Sequence, residues 1–172
     1  GKTPLFVHTL TPFLQSKKIS EIIIVVPQNN ISNIKKTISS LRNDKNVIVI
    51  SGGRHRQDSV YEGLKKVSQS CNIVCIHDGA RPFVSIELIE STIRACVNFD
   101  GVVAAVKATD TVKLVTRGSR VQKTLNRNKI WLAQTPQTFK KKELNKALLS
   151  AQKKNIFGTD EAMIMEEMGY SI

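Results

Sequence analysis

Runs of β-branched residues recur along the chain at Ile22 to Val26, Val47 to Ile50, Ile73 to Ile76 and Val102 to Val106, and each run is apolar almost throughout. A strand with one wet face alternates polar and apolar positions, so unbroken runs of this length point to strands buried on both faces, as in a parallel sheet covered by helices. Between them the spacing becomes helical. Pro4 to Gln15 carries Leu5, Leu10 and Leu14, with Thr3 placed to cap and Pro4 suited to the first helical position. Ile31, Ile34, Ile38 and Leu41 follow at steps of three, four and three. A third helix is expected from about Asp58 to Val67, and a fourth after Ser85, a good N-cap, through Ile86, Ile89, Ile93 and Val97. Strand and helix in strict alternation predict a three-layer α/β/α sandwich on a mainly parallel sheet with right-handed crossovers. Open sheets of this kind bind ligands beyond the carboxyl ends of their strands, which directs attention to the loops there.

The alternation stops between Lys107 and Arg127. Val112, Leu114 and Val115, then Val121, frame a β-hairpin with Gly118 in its turn, and the segment's charges are basic apart from Asp110. It reads as a β-arm leaving the sandwich. A strand from Ile130 to Ala133, a loop at Thr135, Pro136 and Gln137, a basic helix from about Lys141 to Lys154 and a last helix capped by Thr159 complete the expected order. With neither a repeat nor a flexible linker, residues 1–172 read as a single domain.

Composition narrows the function classes. The 172 residues are 41% hydrophobic and 23% charged, ordinary for a globular chain with its own core. The longest apolar run, Ile22 to Val26 closed by Pro27, is strand-sized, and the first residues lack a signal-peptide pattern. The expected location is the cytoplasm, or its bacterial or plastid equivalent, with no membrane partner. Lys and Arg number 26 against 14 Asp and Glu, a net charge of +12, so an anionic partner is expected: nucleic acid, an acidic membrane or a phosphorylated small molecule. Aromatics are only 5% and do not interleave with the basic residues, which argues against a stacking platform for nucleic acid. Cys71, Cys75 and Cys96 lack metal-ligand spacing and read as small packed thiols.

Four segments could carry chemistry. Ser51 to Ser59 places Gly52 and Gly53 after a strand, where a flat group can approach the backbone, with Arg54 and Arg56 beside them and Asp58 or Ser59 capping the next helix. His77 to Pro82 puts Asp78 at a strand's carboxyl edge, able to hold hydroxyls or a divalent cation, and Arg81 within reach of a phosphate; the same spacing also makes an ion pair that braces a turn. Thr109 to Thr111 and Asn126 to Arg127 are the feet of the arm. Gly158 to Ala162 combines small, hydroxyl and acidic residues at a helix start, where macrodipole compensation alone accounts for the acids. The sequence contains no nucleophile elbow, Walker loop or HExxH motif.

Together SGGRHRQDSVYEGL (51 to 64), IHDGARPFV (76 to 84), VKATDTVK (106 to 113), TLNRNKIWLAQTPQTF (124 to 139) and GTDEAMIMEEMGY (158 to 170) resemble the 2-C-methyl-D-erythritol 4-phosphate cytidylyltransferase family of the non-mevalonate isoprenoid pathway. The resemblance implies a Rossmann-like nucleotidyltransferase sandwich, a homodimer exchanging the 107–127 arm, and Mg²⁺ accompanying CTP. The implied reaction is attack of a methylerythritol phosphate oxygen on the α-phosphorus of CTP with pyrophosphate leaving, catalysed by positioning and charge neutralisation rather than by a covalent intermediate. Asp78, Arg81 and Arg127 are the implied catalytic residues. Of the substrate-binding residues Gly52, Gly53, Arg56, Asp58 and Ser59, Gly53 and Ser59 would contact the cytosine, with Arg56 and Asp58 framing that loop. Asp78 and Arg81 would meet the methylerythritol hydroxyls and the triphosphate, and Thr111, Arg127, Thr135 and Thr159 the methylerythritol phosphate, partly from the partner's arm. No metal ligand is assigned, Asp78 being the one candidate. The resemblance starts after the family's opening strand and Gly-rich loop and stops before its last strand and closing helix, so a domain incomplete at both ends is expected. Competing readings are a cytidylyltransferase for another alditol phosphate, such as ribitol 5-phosphate, and a non-catalytic basic binding module.

Overall fold

The computed structural model describes residues 3–41 and 43–172; Gly1, Lys2 and Arg42 of the expected 1–172 domain lie outside them. In chain order the elements are α1 (Leu5–Gln15), β1 (Glu21–Val26), α2 (Ile31–Ser39), β2 (Asn46–Ser51), α3 (Arg56–Leu64), β3 (Ile73–Ile76), α4 (Ile86–Ala95), β4 (Gly101–Lys107), β5 (Lys113–Val115), β6 (Val121–Thr124), β7 (Trp131–Lys140), α5 (Lys141–Lys154) and α6 (Glu161–Glu167). β1 and β2 pair in parallel, with Ile22 opposite Val47 and Ile24 opposite Val49. β7 lies between β3 and β4 and runs against both, so β3 and β4 share a direction and β7 is the reversed strand of that group.

Three apolar clusters fasten helices to strands. Leu10 of α1, Ile38 of α2 and Val49 of β2 form one; Phe13 of α1, Ile89 of α4 and Val84 just before α4 form a second. Leu64 of α3, Phe139 of β7, Leu144 and Leu148 of α5, and Ile164 and Met165 of α6 form the third. Helices α1, α2 and α4 therefore share clusters with one another, as do α3, α5 and α6. Two helical layers with strands between them make the α/β/α sandwich. Among the described residues β1 and β3 share no ladder, and an apolar cleft of about 450 Å³ runs between them, walled by Ile22, Ile24, Val74 and Ile76 and by Phe13 and Val60. Its polar lining includes Arg56, Ser59, His77 and Asp78. No helix among the described residues is long and apolar enough to cross a membrane.

Several boundaries differ from the sequence pattern. α1 starts at Leu5, with Pro4 in the cap position and no side-chain cap, so Thr3 does not perform the expected role. α3 starts at Arg56, because the Asp58 carboxylate reaches back to the His55 backbone N–H at 3.0 Å and opens the helix two residues early, and it stops at Leu64, short of the expected Val67. The expected loop at Thr135 to Gln137 is the middle of β7. Its register slips between Val103 and Ala105 of β4, which face Gln137 and Ala133, and Pro136 falls within that irregularity, where a ladder N–H is not required. α6 is capped by Asp160, whose Oδ1 accepts the Met163 N–H at 2.9 Å, rather than by Thr159. β5 and β6 pair as the antiparallel hairpin of the arm, exposed at every position, with Gly118 at φ 88° in its turn.

Candidate functional site

Three chain segments meet where β2, β3 and β7 present their ends and edges. After β2, the Ser59 hydroxyl accepts the Gly53 N–H at 3.2 Å and donates to the His55 carbonyl at 3.1 Å, folding the loop back over α3. A Cβ on Gly53 would lie 2.3 Å from Asp58 Cβ, and one on Gly52 2.6 Å from Ser59 Oγ. Both glycines are therefore demanded by close approach, and they leave backbone where a side chain would otherwise stand. Asp58, bonded to the His55 N–H, braces this loop from within the helix.

Beyond β3, Asp78 is half-exposed and stands between two arginines. Its Oδ2 accepts from Arg81 Nε at 3.0 Å, and its Oδ1 lies 3.6 Å from an Arg56 nitrogen. Its backbone N–H donates to the Oγ1 of buried Thr135, at 3.2 Å, which ties the loop to β7. Gly79 offers its carbonyl to the Thr9 hydroxyl of α1 at 2.8 Å. His77 packs its ring against Phe13 at 5.2 Å between centroids and engages the Arg81 carbonyl through Nε2 at 3.0 Å. Burial holds its pKa below the usual histidine range, and its ring is engaged by Phe13 and the Arg81 carbonyl.

The third segment is the start of α6. Glu161 is fully buried, and both its oxygens accept from Arg56 Nη1, at 2.6 and 2.7 Å. Burial lifts the Glu161 carboxyl above the ordinary glutamate value, an effect Arg56 partly offsets; in Arg56, burial pulls downward but Glu161 and then Asp78 prevail and raise it. Gln57 fixes the approach to α6 by donating to the Ile156 carbonyl at 3.3 Å and accepting the Gly158 N–H at 3.2 Å. Asp160 Oδ2 accepts from Gln137 of β7 at 2.7 Å, while Thr159 beside it is exposed.

Gly52, Gly53, Arg56, Asp58, Ser59, Asp78, Arg81, Thr135 and Thr159 thus come from two strand-end loops, the first turn of α3, β7 and the approach to α6, which lie at this end of the sheet. Thr111 and Arg127 sit at the feet of the arm, and Arg127 Nη1 donates to the Thr109 carbonyl of its own chain at 2.7 Å. Sequence reasoning missed Glu161, Gln57 and Gln137. An acid in a first helical turn is satisfied by the macrodipole alone, so nothing local marks Glu161 as buried; the apolar positions Ala162, Ile164 and Met165 around it are the only signal that this turn faces inward. Cys75 and Cys96 are pushed up to about 11 by burial and are inert thiols. Among the described residues no three acidic, histidine or cysteine side chains converge as a metal cage.

A covered α/β sheet that gathers bare backbone, a half-exposed carboxylate and two arginines at the ends of its strands has the make-up of an enzyme that handles phosphorylated substrates. The sequence profile of 2-C-methyl-D-erythritol 4-phosphate cytidylyltransferase matches residues 1–172, and the chain belongs to that family. The enzyme of that name from Clostridioides difficile is 40% identical over 168 residues, covering 98% of this chain and 70% of its own length; that from Alkaliphilus oremlandii is 39% identical over 170 residues, with 98% and 72% covered. The crystal structure of 4-diphosphocytidyl-2C-methyl-D-erythritol synthase from Anaerococcus prevotii superposes with a TM-score of 0.92 at 32% identity over 98% of this chain and 74% of that one. The Thermus thermophilus cytidylyltransferase superposes at 0.80 with 26% identity, covering 100% and 77%.

Proposed function

We propose that this chain transfers the cytidylyl group of CTP to 2-C-methyl-D-erythritol 4-phosphate in isoprenoid biosynthesis, releasing pyrophosphate. The observation that carries the reading is that Ser59 of the glycine loop and Asp78, held by Arg81 and Thr135, line one cleft and are linked through Arg56, 3.6 Å from Asp78, in a member of this family. The glycine loop presents backbone bare of side chains to the flat face of the cytosine, its shape fixed by the Gly53 N–H on Ser59 and the Gly52 N–H on the Val26 carbonyl. Asp78, half-exposed, accepts from methylerythritol hydroxyls, and Arg81 presents its remaining guanidinium nitrogens to phosphate. The methylerythritol phosphate oxygen then bonds to the α-phosphorus of CTP while the bond to pyrophosphate breaks, and the protein supplies alignment and positive charge.

Asp78 fits Mg²⁺ only as a lone carboxylate, a donor set this cation accepts when nucleotide phosphates and water complete its shell. When bound, Mg²⁺ would neutralise triphosphate charge. Arg56 and Asp58 frame the loop, since the contacts on both are internal to the protein.

The arm is proposed to mediate a homodimer. Leu114, Val115 and Val121 on the hairpin, with Val106, Trp131 and Leu132 at its base, are 40–60% exposed, a surface that a second copy would cover. Across such an interface Arg127 and Thr111 would reach the partner's methylerythritol phosphate. The test of the reaction is pyrophosphate release by the full-length protein from CTP supplied with 2-C-methyl-D-erythritol 4-phosphate or ribitol 5-phosphate. Turnover with the first is expected, and turnover confined to the second would overturn the substrate assignment.

A further inference from the structure

Four charges of alternating sign run in a chain from the core to the pocket: Glu161, Arg56, Asp78 and Arg81. Arg56 is contested by two carboxylates, and the distances decide the contest. Both oxygens of Glu161 hold one Arg56 nitrogen at 2.6 and 2.7 Å, while Asp78 stands 3.6 Å from the other, beyond hydrogen-bond range. Glu161 is 1% exposed at its side chain and Asp78 37%. The buried acid thus binds the arginine in a dry setting, where a charge-assisted bond is strongest, and the accessible acid is left with an oxygen free of that bond.

From this geometry we infer that Glu161 is a positioning residue for cytidylyl transfer: by claiming Arg56 it keeps the Asp78 carboxylate available to the methylerythritol substrate. Without the Glu161 charge, Arg56 has one carboxylate within reach, and its fork closes on Asp78. Asp78 would then be hydrogen-bonded by both guanidinium groups, with little acceptor capacity for substrate hydroxyls. The inference rests on the functional reading above, since it takes Asp78 as the substrate-facing carboxylate.

Glu161→Gln in the full-length protein tests it by crystallography and kinetics. The Arg56 to Asp78 separation is expected to shorten from 3.6 Å to hydrogen-bond range, a readout that needs no turnover. In the same variant kcat/KM for methylerythritol phosphate should fall by about tenfold or more while the KM for CTP moves less than about threefold. Combined with Arg56→Ala, it should cost no more than Arg56→Ala alone, because Glu161 acts through that side chain. An unmoved Arg56, an unchanged kcat/KM or fully multiplicative effects of the two substitutions would each overturn the proposal. Should Glu161→Gln not fold, Glu161→Asp shortens the reach, keeps the charge and is expected to show a weaker form of the same substrate split; a loss confined to CTP would overturn it. Failure of the parent protein to turn over either alditol phosphate would instead count against the functional reading, the separation measured in the crystal still judging the positioning role.

Discussion

Asp78 joins the fold to the chemistry most directly: its backbone N–H is anchored on Thr135, and its side chain faces Arg81 and the pocket. Asp78→Asn keeps the shape and removes the charge, so kcat/KM should fall by roughly 2–4 kcal/mol in transition-state terms, seen in steady-state pyrophosphate release. Gly53 is a packing requirement. In Gly53→Ala the new methyl meets Asp58 Cβ at 2.3 Å, and the expected result is a stability loss of about 1–3 kcal/mol by urea unfolding together with weaker CTP binding. Glu161 gives a pH dependence of defined sign. Burial raises its pKa in the folded state, so its contribution to stability is fully present below the ordinary glutamate range and is lost as pH rises through the folded value. The stability of the parent minus that of Glu161→Gln should therefore decrease as pH is raised from 4.5, the ordinary glutamate value, toward neutrality, as unfolding titrations at each pH would read.

At the scale of elements, the half-buried strands β1 to β4 and the helices from Ile31 and Ser85 follow their hydrophobic runs and periods closely. Ser85 caps α4 by accepting the Leu88 N–H at 3.1 Å, a local event between near neighbours. β7 resisted because its signal is long-range. Pro136 reads as a loop residue, and only the irregular pairing with β4 creates a place in a strand that needs no N–H. The last helix resisted for another reason. Thr159 and Asp160 are both good cap residues, and the choice is settled by the Gln137 amide, which reaches Asp160 from β7. The arm permits an element-level prediction: Arg127→Ala should weaken the interaction with methylerythritol phosphate and leave CTP affinity nearly intact, as separate KM values would show, and equal loss of both would contradict a role confined to the second substrate.

For the whole molecule, the net charge of +12 is the dominant long-range property. Attraction between a basic surface and two polyanionic substrates is screened by salt over about 8 Å at physiological ionic strength, so KM for CTP should rise steadily as salt increases, with kcat less affected. The sequence by itself determined the α/β alternation, the arm, the anionic character of the ligand and, through five separated motifs, the family. These are properties of local period, composition and residue identity, and each can be read without knowing what lies across the sheet. Tertiary structure alone decided that Arg56 belongs to Glu161, residues 105 positions apart, that Asp78 is shared between two arginines, and that Pro136 lies in a strand. A buried ion pair leaves no periodic trace along the chain, because its energy depends on a separation and a loss of water that exist only once the layers have packed.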